Sequence, residues 1–419
     1  MLSQFYPPVV GGEEQLVRNL SRELAARGHT VAVATLGMDG GEAFDMDGQV
    51  RVYRLGSLTQ RASWLYRDIG RRHAPPFPDP ETALELRRVL RRERPEIVHA
   101  HNWMLHSFLP FKRSSGAALV VTLHDYSLVC AQKRLRRQGE ACSGPGALKC
   151  LRCAAGHYGP LKGIPTAFSN WGMGLVERLR VDLFLPVSQA TAQGNQLEAG
   201  DLPFEVIPNF IADEIEVLGD EHAKLLAALP AEDFLLFVGD LSADKGTPVL
   251  LDAYSGLRGA PPLVLIGRNE PDSVSPLPPN VFALGSWPHA AVMAAWRRSL
   301  FGIVPSVWPE PFGLVAIEAM ASGRAVIASM AGGLCDIVVH GETGLLTPPG
   351  EVGALRAAIA RLLEDRQLCA RMGQAGERRV KHFQASAVIP RVEEAYRRVL
   401  ENRHDRATPG RIGRRWARE

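Results

Sequence analysis

Unbroken apolar runs of four to six residues recur along this chain, and between them apolar positions fall three and four apart. "TVAVATL" (30–36), "VRVYRL" (50–55), "EIVHA" (96–100), "ALVVTLH" (118–124) and "LFLPVS" (183–188) read as strands in the first half. "FLLFVG" (234–239), "PLVLIG" (262–267), "VFALG" (281–285), "FGIVPS" (301–306) and "AVIAS" (325–329) do so in the second. Such runs, bounded by turn residues, suit strands covered on both faces, as in a parallel sheet. The intervening spacing is helical: Leu16, Leu20 and Leu24 share a face of one helix, which Gly28 ends. The alternation predicts the α/β class, with two doubly wound sheets and right-handed crossovers. The chain's 419 residues exceed one ordinary core. The series restarts near "VIPNFIAD", which gives domains 1–209 and 210–384, with a last helix at about 385–401 crossing back onto the first. Only "MLSQF" precedes the turn "YPPVVGGEE", so the first strand is very short or the true start lies upstream.

Candidate chemistry collects at strand ends, where open parallel sheets bind ligands. In "PEPFGLVAIEAMASG", Pro311 pushes Glu310 toward extended backbone. From Phe312 the spacing of Leu314, Ile317, Met320 and Ala321 suits a helix, with Gly323 as its stop. Glu310 therefore ends a strand, and Glu318 lies about a turn and a half into the next helix. Either acid alone reads as a solvated carboxylate; the pair in this setting reads as a site. Gly11 and Gly12 open a helix near Glu13, Gly332 and Gly333 open another, and Lys245 sits in a loop before a third at Thr247. Helix-start amides bind anions, and a lysine among them pairs with phosphate. Together these loops point to a diphosphate-bearing ligand between two domains. No Gly-x-Gly-x-x-Gly follows a strand, which argues against a nicotinamide enzyme.

The order "YPPVVGGEE", "VTLHDY", "VIPNF", "FVGDL…DKG", "EPFGLVAIEAMASG" and "GGLCDIV…GETGLL" resembles the retaining GT-B glycosyltransferases of family four, over nearly the whole chain. The resemblance implies two Rossmann-like domains facing across a cleft, a nucleotide sugar on the C-terminal side, an acceptor on the N-terminal side, and no catalytic metal. By that likeness Glu318 holds the ribose hydroxyls, Glu310 lies beside the donor sugar, and His124 lies on the acceptor side. Lys245 meets the leaving diphosphate, with amide donors from Gly12 and from Phe312, Gly313 and Leu314. His99 and His101 have weaker claims. The family's Gly-Arg-Leu is "GDL" here, so Asp240 stands where a phosphate-binding arginine is expected, and Arg268 of "LIGRNE" is the candidate replacement. The implied donor is a UDP- or GDP-sugar and the implied acceptor a glycan, a lipid-linked sugar or a small molecule. A binding protein without turnover, or an epimerase of the same fold, are the alternatives.

Four of the six cysteines, Cys130, Cys142, Cys150 and Cys153, fall within 24 residues just after His124. Their spacing suits a structural zinc site with no open position for catalysis. Arg134, Arg136 and Arg137 between them would then face an anionic acceptor. A net charge of +3 gives no case for nucleic acid. The clusters "LRRVLRRER", "KRLRR" and "RIGRRWAR" offer peripheral contact with an anionic membrane. With no membrane-length apolar run and no signal-peptide pattern, the expectation is a cytoplasmic protein with reduced thiols.

Overall fold

The structure is a computed structural model that describes residues 1–9, 11–37, 41–62, 72–137, 139–214, 222–270 and 272–407. The basic run at 411–418 therefore lies outside the described residues.

In the N-terminal half, β1 (Ala32–Leu36) pairs in parallel with β3 (Val50–Leu55), and β2 (Phe44–Asp47) closes the edge antiparallel to β3. β4 (Ile97–Ala100), β5 (Ala118–Leu123) and β8 (Leu183–Pro186) form the other side of the sheet; between β5 and β8 lies a two-residue hairpin, β6 (Arg136–Arg137) with β7 (Glu140–Ala141). The two sides meet at Leu2, which bridges Ala34 of β1 and Ala100 of β4. Leu2 is pinned there by its N–H to the His99 carbonyl at 2.8 Å and by His101 N–H to its carbonyl at 3.0 Å.

The C-terminal sheet comprises β9 (Leu235–Val238), β10 (Leu263–Ile266), β11 (Val281–Ala283), β12 (Phe301–Val304), β13 (Ala325–Ser329) and β14 (Gly344–Thr347). Its spatial order, β11-β10-β9-β12-β13-β14, is parallel throughout. The winding reverses between β9 and β12, and the loops that follow these two strands diverge there to leave a crevice. β9, β10, β12 and β13 are almost wholly buried, which explains why each reads as a continuous apolar run rather than an alternating one.

The helix Ala385–Ala407 returns to the first half. Val388, Ile389, Val392, Ala395 and Val399 join Leu16, Leu20 and Leu24 of the helix Gly12–Ala26 in one core. Among the described residues no helix is long and apolar enough to cross a membrane.

Candidate active site

Glu310 and Lys245 meet at the reversal between β9 and β12. Gly246 makes this possible: it caps the helix Thr247–Ser255 at φ 77°, and a Cβ there would lie 1.9 Å from the Pro305 carbonyl oxygen. The loop after β9 is thereby pressed against the loop after β12. Lys245 Nζ then donates to both carboxylate oxygens of Glu310 at 2.9 Å. Ser306 Oγ and Trp308 Nε1 add donors at 3.0 and 2.9 Å, so an acid only 8% exposed is held by four hydrogen bonds. Neither Ser306 nor Trp308 stands out in the sequence, although both lie in the same "VPSVWPEP" turn.

A second glycine loop fixes the backbone of that turn. Gly332 sits at φ 60°, where a Cβ would come within 2.1 Å of the Glu310 carbonyl oxygen, and Gly333 N–H donates to that oxygen at 2.7 Å. The next helix runs Leu314–Ala321 with Gly313 as its left-handed N-cap, so it starts two residues later than the apolar spacing suggests. Phe312 is a core residue packed edge-on against Phe383 at 6.0 Å, and only its backbone faces the turn. Leu314 faces the opposite domain, since a Cβ on Gly12 would lie 3.7 Å from its Cδ1. Glu318 is reached by His289 Nε2 at 3.2 Å.

The opposite wall is a row of imidazoles. His99 hydrogen-bonds the Tyr396 hydroxyl at 2.6 Å and Thr122 Oγ1 at 2.7 Å, and its ring lies against His101. His101 Nδ1 meets His124 Nε2 at 3.0 Å, with the rings stacked. Burial keeps His99 and His101 well below the usual histidine range and brings His124 down to about 4, so all three are neutral. Nearby, the Glu13 carboxyl is pushed up to about 7 by burial, against the hydrogen bond it accepts from Asn102 at 2.7 Å. Tyr126 is buried on this wall and within electrostatic reach of Glu310, and its hydroxyl has no hydrogen-bond partner among the described residues. Nothing in the sequence marks Glu13, Asn102 or Tyr126 as site residues.

Three of the expected sites show contacts that the sequence does not. The Arg268 guanidinium forks onto Asp240 at 3.0 and 2.9 Å, an exposed pair in the loops after β9 and β10. Arg134 and Arg136 cross the cleft and grip Asp244, the neighbour of Lys245, with Arg134 Nη1 at 2.8 Å from Oδ2. One carboxylate thus offsets one of their two charges. Cys130, Cys142, Cys150 and Cys153 do line one recess of about 20 Å³ and are reduced. Yet among the described residues no three candidate ligands stand close enough to grip a metal as they are. The sulfurs nonetheless receive donors: Gly146 N–H reaches Cys150 Sγ at 3.3 Å and Gln132 Nε2 reaches Cys153 Sγ at 3.0 Å.

Comparison with known proteins places these features. The family model "Glycosyltransferase Family 4" matches residues 10–214, and "Glycosyl transferases group 1" matches 221–379. A glycogen synthase of Mycobacterium tuberculosis is 27% identical over 91% of this chain and 89% of its own. A phosphatidyl-myo-inositol mannosyltransferase of Mycobacterium leprae is 31% identical over 39% of this chain and 46% of its own. Among solved structures, sucrose-phosphate synthase from Thermosynechococcus elongatus superposes with a TM-score of 0.72 at 21% identity, covering 94% of each chain. Anabaena HepE, in complex with UDP and glucose, gives 0.65 at 20% identity over 94% of this chain and 97% of its own. These likenesses show the fold, two Rossmann-like domains in the GT-B arrangement. With both halves matched in order by the two family models, the chain belongs to the group 1, family four glycosyltransferases.

Proposed function

We propose that the cleft moves a sugar from a nucleoside-diphosphate sugar, UDP- or GDP-linked, to a glycan or lipid-linked acceptor with retention of the anomeric configuration. The observation that carries this is the buried Glu310 carboxylate, held by Lys245 at the sheet's reversal point and within electrostatic reach of Tyr126. A diphosphate entering beside Lys245 shares its ammonium, and Glu310 is then free to accept from the sugar's hydroxyls. As the bond from the anomeric carbon to the diphosphate oxygen breaks, negative charge grows on that oxygen. Lys245 and the amides at the start of the helix Leu314–Ala321 stabilise it, while Glu310 stabilises the electron-poor carbon. Positive charge thus comes from the protein, and the reading calls for no catalytic metal. Glu318 has two acceptor oxygens for the ribose hydroxyls. His124, neutral, lies on the side from which the acceptor enters. The names of the glycogen synthase and the inositol mannosyltransferase, and HepE's complex with UDP and glucose, support a nucleotide-sugar donor.

The test is a thermal-shift panel of UDP, GDP and ADP with their sugars. A ligand at a hundred times its Kd stabilises a folded protein by about 2.7 kcal/mol. One base should raise Tm clearly above the others. No shift with any of them would overturn the reading.

The cysteine cluster has a structural part in this proposal: the four thiols that line one recess are the candidate ligands for one zinc ion that would fix the loop after His124. Protein purified without added metal should carry close to one equivalent of zinc. Metal-free protein in which Cys150→Ser and Cys153→Ser leave Tm unchanged would contradict it.

A further inference from the structure

The helix Pro160–Arg180 is turned the opposite way from a normal amphipathic helix. Its protein-facing positions are Gly163, Ala167, Asn170, Gly174 and Glu177, all buried. Glu177 is matched there by His106 at 2.7 Å, and Gly163 lets the backbone cross closely over Ala154. Its outward positions are apolar without exception: Leu161 at 92% exposure, Ile164, Pro165, Phe168 at 55%, Gly172, Leu175 at 66% and Leu179 at 83%. At 100° per residue these fall within about a third of the circumference, with Trp171 at one edge and in edge-to-face contact with Phe168. The stripe runs about 30 Å, the length of 21 helical residues. Burial in the core has not selected it, since every one of these positions is exposed.

The charge beside the stripe identifies what covers it. Lys162 and Arg180 lie on one flank of the helix; on the other, Arg178 turns onto the protein and donates to the Asn195 carbonyl at 3.1 Å. The neighbouring helix Ala147–Tyr158 adds Lys149, Arg152 and the exposed Leu148. Across residues 147–180 the only acid is Glu177, which is buried. Apolar side chains framed by cations, with no acid exposed within 147–180, match the interface of an anionic bilayer, where lysine and arginine stems lie along the acyl boundary and their heads reach phosphate. A second copy of the chain would bring one basic rim against another in a two-fold contact, which is repulsive.

The geometry points to this face as a membrane-docking surface for anionic phospholipid, with the helix lying in the headgroup plane. It goes beyond the proposed function by supplying the side from which a lipid-borne acceptor would come. The helix abuts the acceptor-side loop: a Cβ on Gly174 would lie 2.9 Å from the Leu128 carbonyl oxygen. From the neighbouring helix, the Tyr158 hydroxyl donates to the Ala131 carbonyl at 3.0 Å. A sugar carried on a lipid embedded beside this helix would be level with the wall that holds His124.

Vesicle flotation of the full chain, without any donor, tests the surface independently of the transfer reaction. Wild type should float at least tenfold more with phosphatidylcholine–phosphatidylglycerol vesicles than with phosphatidylcholine alone. The F168E/L175E variant should lose at least tenfold of that binding while keeping the wild-type Tm and the wild-type thermal shift with nucleotide. The proposal is overturned if wild type ignores anionic vesicles, or if F168E/L175E floats as well as wild type. A wild-type dimer that F168E/L175E splits, with no vesicle binding, would also overturn it and assign the face to a second copy. A nucleotide shift without flotation would sink only this inference; flotation without any nucleotide shift would sink only the proposed function.

Discussion

Lys245→Met removes one charge from the cleft and almost no volume, and its two consequences can be estimated separately. Glu310 then keeps Ser306 and Trp308 but loses both bonds from the ammonium. Hydrogen bonds to a charged group contribute about 1.5–3 kcal/mol, and the lysine is partly open to water that can replace it, so the net loss of stability is about 2 kcal/mol. For a domain of this size that is a fall in Tm of about 4–8 °C. The effect on turnover is larger. Losing one preorganised donor to developing charge costs on the order of 10²–10³ in kcat. Because the charge on the leaving diphosphate grows only as the bond breaks, kcat should fall much more than KM for the donor rises. The assay is steady-state transfer measured well below the variant's Tm, with thermal unfolding on the same preparation. A variant whose kcat lies within threefold of wild type would refute the reasoning, however its Tm moved.

The other predictions follow from neighbouring groups. Glu318→Ala should raise KM for the donor about tenfold or more with little change in kcat, whereas Glu310→Gln should lower kcat; equal KM values for wild type and Glu318→Ala would remove that acid from the donor site. Asp240→Ala removes a negative charge from the loop after β9 and should tighten nucleotide binding, and Arg268→Ala should leave it near wild type; calorimetric titration in which Asp240→Ala binds no tighter than wild type would contradict this. His124, with an ordinary value of 6.5, is held down to about 4, so between these values the unfolded chain binds a proton that the native one refuses, and stability falls as pH drops from 6.5 toward 4. Glu13, with an ordinary value of 4.5, is raised to about 7, so the native form keeps a proton the unfolded chain releases, and stability falls as pH climbs from 4.5 through 7. His124→Gln should therefore flatten the acid side of a Tm–pH profile and Glu13→Gln the alkaline side; profiles parallel to wild type would contradict both assignments.

The parallel strands were legible because burial on both faces leaves continuous apolar runs, as in "LLFV" and "FGIV". β2 was not, because an edge strand of Phe-Asp-Met-Asp has its side chains exposed and carries no core pattern. β14 was hidden for another reason: "GLLT" follows a glycine turn, and its pairing partner β13 is in view only once the sheet is built. The Glu310–Glu318 pair could be read from a turn followed by a helix, which is local information. That Lys245 lies on Glu310 depends on two loops 65 residues apart meeting at the sheet's reversal, which spacing does not encode. The same holds for Arg134 and Arg136: their charge is evident in the sequence, but their partner Asp244 lies more than 100 residues away, across the cleft. Leu161, Phe168, Leu175 and Leu179 are spaced like a core face, and only the folded chain shows that this face points outward.

The central claim is that this cleft breaks the bond between a sugar and a nucleoside diphosphate and replaces it on the same face. Proton NMR of the anomeric signal during turnover, with the donor that the thermal-shift panel selects, tests it most directly. An α-linked donor should give an α-configured first product in wild type, and Glu310→Gln should abolish that signal on the same time scale. A β-configured first product, or equal rates in wild type and Glu310→Gln, would contradict the account.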